Sequence, residues 1–144
     1  MAVEYKQNPD GSVGLQGDST GGQGGFIPVS TFYTATSSAT MSFFSANRNY
    51  VVQDITGRVD VSGTGGACTL SIYSAPSGTA IAAGTLIHSG SFNVAGTANT
   101  KQVLTLSTPA LSLVIPAGSV LGLVVTGIAT SAIGSITVTL NPST

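Results

Sequence analysis

Charge is what this sequence has least of. Four Lys/Arg and five Asp/Glu are spread over 144 residues, 6% of the chain with a net charge of −1. A typical soluble domain carries roughly 25%. Four basic residues make no basic footprint, which excludes nucleic acid as a partner. The chain has one Cys, one His and no Trp. One Cys builds no disulfide framework, and one Cys with one His closes no structural zinc site. The opening residues MAVEYKQN contain no apolar h-region, so they do not read as a secretory signal. Synthesis in a cytoplasm follows, where Cys68 stays reduced. No glycosylation acceptor is present, because Asn141 is followed by Pro142. None of the glycine-rich stretches leads into Lys-Ser or Lys-Thr, so no phosphate-cradling loop is present.

What is present is small and neutral. Gly, Ser and Thr number 19 each, and mean hydropathy is +0.40. Gly, Ser, Thr and Val are poor helix formers, which argues against a helical fold. A folded monomer of this mass exposes about 6,800 Å². Nine charges over that area is about one per 750 Å², close to one side of a standard interface, about 800 Å². Interface-sized patches are therefore free of charge, and little protects such a surface against association. A protein that works inside an assembly is the preferred reading over a neutral domain kept soluble by hydroxyls.

The chain divides at residue 26. Residues 1–26 hold four of the nine charges, Glu4, Lys6, Asp10 and Asp18, and seven of the 19 glycines. Their apolar residues follow neither period 2 nor period 3.6, and glycine at that density makes ordering costly in entropy. An N-terminal arm is expected, long enough when extended to reach a neighbour. Residues 27–144 read as strand and turn. Tyr50–Val61 forms a long run with Gly57 as a candidate bulge. Strands are expected at Ala80–Ala83, Leu86–Val94 and Leu111–Ile115, among others. Ile136, Val138 and Leu140 alternate with Thr137 and Thr139, which places one face on a core. Eight or more such runs, 8 to 14 residues apart, predict an all-β antiparallel sandwich or jelly roll. The uncharged stretch 111–128 is broken by Pro116-Ala117-Gly118-Ser119 and Gly122, so it reads as two strands around a turn and no membrane is implied.

Chemistry is sparse. Gly17-Asp18-Ser19-Thr20-Gly21-Gly22 is similar to the nucleophile segment of chymotrypsin-like proteases. It lies in the arm, however, and the only histidine, His88, follows it in the chain. His88 shares parity with Leu86, Phe92 and Val94 and is expected to be packed or hydrogen-bonded at a sheet edge. Cys68 reads as a small apolar filler. Asp54, Arg58 and Asp60 share one face of a strand, as a solvated stripe or as an intersubunit ion pair with Arg58 or Arg48. Asp54 and Asp60 are about 20 Å apart along an extended strand, too far for a glycosidase pair. Tyr5, Tyr33, Tyr50 and Tyr73 remain as candidate sugar platforms. No catalytic residue, cofactor or metal is assigned.

Three segments carry a resemblance: Phe43-Phe44-Ser45-Ala46-Asn47-Arg48-Asn49-Tyr50-Val51-Val52, then Leu70 to Ile81, then Ile115 to Leu123. Together they resemble the jelly-roll head decoration, or cement, proteins of tailed bacteriophages, over roughly residues 40–140. The resemblance implies a non-enzymatic protein on the outer capsid surface, made in the host bacterial cytoplasm. It implies a homotrimer bridging neighbouring copies of a major capsid protein. Arg48, Asp54, Arg58, Asp60, Tyr5 and Phe26 are the expected interface residues. The alternative is a receptor- or carbohydrate-binding tip of a phage fibre or spike. A small hydrolase is a third class, since Ser, His and Asp all occur.

Overall fold

The computed structural model describes residues 5–7, 13–15, 25–35, 38–127 and 130–144. Two short strands, β1 (Tyr5–Gln7) and β2 (Val13–Leu15), pair with each other as a separate antiparallel ladder. The remainder of the expected arm up to residue 24 lies outside the described residues, including Glu4, Asp10, Asp18 and the Gly17–Gly22 string.

The described domain is a sandwich of two antiparallel sheets. Its long strands are β3 (Ile27–Ala35), β4 (Ala39–Ser45), β5 (Tyr50–Val61) and β6 (Cys68–Pro76). Short strands follow at β7 (Thr85–Leu86), β8 (His88–Ser89) and β9 (Phe92–Asn93). The chain closes with β10 (Thr100–Leu106), β11 (Val114–Ile115), β12 (Ser119–Gly127) and β13 (Ala132–Pro142). The first sheet runs β3-β13-β5-β10-β8, with β11 also on β5; the second runs β4-β12-β6-β7, with β9 also on β6. Successive long strands change sheet, and β13 and β12 return to lie between β3 and β5 and between β4 and β6. This winding is a jelly roll.

Alternation decides which side chains meet between the sheets. Tyr33, Ile55, Val59, Leu104, Ile136, Val138 and Leu140 point inward from the first sheet. Leu70, Ile72, Leu121, Leu123 and Val125 meet them from the second. All are at most 7% exposed, so each contributes roughly 1.5–3 kcal/mol of burial. Phe92 fills the centre and meets Tyr33 edge to face at 5.9 Å between ring centroids.

Four local expectations are corrected. Gly57 is not a bulge: it pairs in register with Gln102 and Ile136. It is glycine because an inward Cβ would collide with the Phe92 ring and come within 2.6 Å of Ile136 Cδ1. The register shifts of β5 against β13 lie instead between Val61 and Val59 and between Asp54 and Val52. Residues 81–83 form a 3₁₀ turn (Ile81–Ala83), because Ile81 folds over the bare Cα of Gly122 on the outer face of the second sheet. The Leu86–Val94 run is three short pieces: β7 and β9 pair β6 of the second sheet, while β8 pairs β10 of the first. Gly90, at φ +76°, turns the chain between them. Leu111–Ile115 is mostly a second 3₁₀ turn (Ala110–Leu113), with Leu111 81% exposed and only Val114–Ile115 left as strand.

Gly57→Ala is therefore expected to cost about 1–3 kcal/mol in denaturant unfolding, the range for overpacking a core. Gly25→Ala, where nothing lies within 4 Å of the added carbon, is expected to leave stability unchanged.

Candidate interaction surface

Of the nine charges, four fall in residues 1–26 and Arg48 sits in the β4–β5 turn. The other four, Asp54, Arg58, Asp60 and Lys101, all project from the outer face of the first sheet. The register fixes how they line up. Phe32, Ser135, Arg58 and Lys101 form one row across β3, β13, β5 and β10. Ser30, Thr137, Thr56 and Val103 form the next. Thr139 and Asp54 lead the third. A shallow concavity of about 260 Å³ lies on the first two rows, lined by Thr56, Gly57, Arg58, Lys101, Ser135 and Thr137.

Arg58 is held from two sides. Its Nε donates to Asp60 Oδ1 at 2.9 Å, an ion pair with side chains 54% and 39% exposed. One terminal nitrogen donates to Asn99 Oδ1 at 2.9 Å. Asn99 sits at φ +63°, a conformation that Asn tolerates better than most residues and that sets its amide beside β5. An exposed pair of this kind contributes little stability, roughly 0–1 kcal/mol, so its effect is orientation. Asp54 shares the face, half-buried, and makes no ion pair among the described residues. Arg48 is brought to neither acid. Its neighbours turn the chain: Asn47 Oδ1 accepts from Tyr50 Oη at 2.6 Å, and Asn49 Oδ1 accepts from the Ala117 N–H at 3.0 Å. Arg48 is left exposed between them. Phe26 is exposed just before β3, and Tyr5 lies in β1 with its side chain outside the described residues.

Two members of the face went unnoticed in sequence. Lys101 stands 43 positions from Arg58 in the chain and becomes its neighbour only through strand pairing. Phe32 is 78% exposed although its neighbour Tyr33 is buried. Parity alone carried that signal, since two adjacent strand residues face opposite ways.

The outer face of the second sheet has no charged residue among those described, and Thr69, Ser71, Tyr73 and Val124 are half-buried there. Two of the candidate sugar platforms are core residues instead. Tyr33 is 1% exposed and Tyr50 is 4% exposed. Burial pushes the Tyr33 hydroxyl up to about 12, with the Asp60 carboxylate and Cys68 adding to the effect. Cys68 is buried, and desolvation raises its thiol above the ordinary range.

His88 is 1% exposed. The Ile72 N–H donates to its Nε2 at 3.0 Å, so the neutral ring carries its proton on Nδ1. Nδ1 is buried without a partner in hydrogen-bonding geometry. Burial lowers the pKa of the ring, and the nearby Ser89 and Gly90 backbone offsets this only in part. The residue thus joins β8 to β6 across the gap between the sheets. Among the described residues no group of three or more His, Cys, Asp or Glu is placed to hold a metal.

Because the folded pKa of His88 lies below its ordinary 6.5, the unfolded chain takes up the proton first. Its contribution is complete above about pH 6.5 and declines as pH falls below that value. Thermal unfolding at pH 7.5 and 5 is expected to show this decline in the parent protein and a smaller one in His88→Gln.

No family model matches the chain, and no curated protein matches it. The fold is shared with a solved phage structure. The chain is similar to one in the capsid asymmetric unit of cyanophage Pam1, at 19% identity and a TM-score of 0.54, covering 94% of this chain and 97% of that one. It also aligns with the VP2 subviral particle of infectious bursal disease virus at 17% identity and a TM-score of 0.39, covering 97% of this chain but 37% of that one. At 19% identity the fold is what is shared with the phage chain.

Proposed function

We propose that this protein is a non-enzymatic structural component of a bacteriophage virion. It binds the outer surface of the capsid as a homotrimer and bridges neighbouring subunits of the major capsid protein. The observation that carries this reading is the fold likeness, end to end in both chains, to a chain of a phage capsid asymmetric unit. The charge distribution supports it. The sandwich keeps its ion pair on one sheet face and leaves the opposite face uncharged among the described residues. A neutral face loses little solvation on docking, whereas an unpaired charge is costly to bury.

In this reading residues 1–26 are an arm and residues 27–144 the jelly roll. The arm, with Tyr5 and Phe26, reaches a neighbouring molecule, and Arg48 lies at the rim of the contact. Asp54, Arg58 and Asp60 stay toward solvent, because Arg58 already has its partners within the chain. Three copies gripping one lattice gain avidity, since the second and third contacts are effectively intramolecular. The protein is made in the host cytoplasm and ends on the virion exterior. It requires no cofactor.

Removing residues 1–25 is expected to leave a domain that still unfolds cooperatively, with a β-type circular dichroism spectrum, and to weaken co-sedimentation with capsids. Undiminished co-sedimentation would remove the arm from the account.

A further inference from the structure

We propose that the concavity on the outer face of the first sheet is a binding site for an acidic saccharide unit, its carboxylate held by Arg58 and Lys101. The site goes beyond capsid attachment and uses the face that attachment leaves to solvent.

The row Phe32–Ser135–Arg58–Lys101 places an aromatic ring, a hydroxyl, a guanidinium and an ammonium on four adjacent strands. Strands lie about 4.8 Å apart, so Phe32 stands about 10 Å from Arg58. That is the span of a saccharide of one or two rings. Arg58 and Lys101 are directly opposed across β5 and β10. Two like charges so placed repel each other, and an anion seated between them removes the repulsion. The guanidinium has five N–H donors in a fixed fork. Asp60 and Asn99 occupy two of its nitrogens and hold its plane, which leaves donors for a ligand. Lys101 makes no ion pair among the described residues. With Arg58 balanced by Asp60, and Asp54 four positions away along β5, Lys101 supplies the unbalanced positive charge at the concavity itself.

The rest of the lining fits a polyol. Thr56, Thr137 and Ser135 present hydroxyls, which both donate and accept. Thr137 Oγ1 is already 2.7 Å from Ser30 Oγ, so it is oriented before any ligand arrives. A volume of about 260 Å³ is below the range of drug-sized pockets, roughly 300–1,000 Å³, and suits one sugar ring. Phe32, exposed on the same face, offers a flat apolar surface for a ring beyond the concavity.

The full-length chain, labelled with ¹⁵N, is titrated with sodium glucuronate, with glucose and with sodium acetate. Glucuronate is expected to give saturable amide shifts at Thr56, Arg58, Lys101 and Ser135. Glucose is expected to bind roughly ten-fold more weakly, the loss of a charge-assisted contact. Lys101→Glu changes an exposed side chain, and its spectrum away from the site reports that the fold is kept. That variant is expected to lose glucuronate binding, and Phe32→Ala to weaken it. Absence of saturable shifts, or binding unchanged in Lys101→Glu, would overturn the proposal. Acetate binding as tight as glucuronate would overturn it too, since the site would then read a bare carboxylate and not a sugar.

Discussion

One apolar layer between two sheets constrains everything else in this molecule. The two inner faces interlock through Phe92, Ile136 and Leu123, all fully buried. The fit is close enough that a Cβ at position 57 would push against Phe92 and Ile136. An interior packed to that density admits no charge. Within the sandwich, charge is left to the outer faces and the turns, and this chain has very little of it. Among the described residues, the distribution of four charges over one face and none over the other gives the sandwich two chemically different sides.

Much of this was legible in the sequence, because alternation is a local property. Ile136, Val138 and Leu140 announce their face, as do Leu104 and Leu106 with Thr105 between them. The all-β class, the turn at Pro116–Gly118 and the shared face of Arg58 and Asp60 follow from spacing alone. What was not legible depends on contacts between distant residues. Gly57 looked like a bulge because the side chains that forbid its Cβ, Phe92 and Ile136, are 35 and 79 positions away. Leu86–Val94 looked like one strand because its apolar residues recur. The chain in fact leaves one sheet for the other at His88 and returns at Phe92. Ile81 carried a strand-like residue type, and only the bare surface at Gly122 explains its place.

The interaction surface shows the same division. Arg58 and Asp60 were found because they lie two positions apart on one strand. Lys101 was not, since its place opposite Arg58 is set by the β5–β10 register. Within the chain Arg48 stands apart from the acidic stripe, because Asn47 and Asn49 tie its turn to the end of the sandwich. Tyr33 and Tyr50 were candidates for recognition and serve the core, whereas Phe32 reaches solvent.

A neutral face and a charged face predict different responses to salt. At about 1 M salt the Debye length is near 3 Å, and contacts made by exposed charges are lost. Sedimentation velocity of the full chain from about 0.05 M to 1 M salt measures this directly. Self-association through uncharged surfaces is expected to persist or strengthen across that range. A particle that stays monomeric at every concentration, or an oligomer that dissolves as salt rises, would contradict the account.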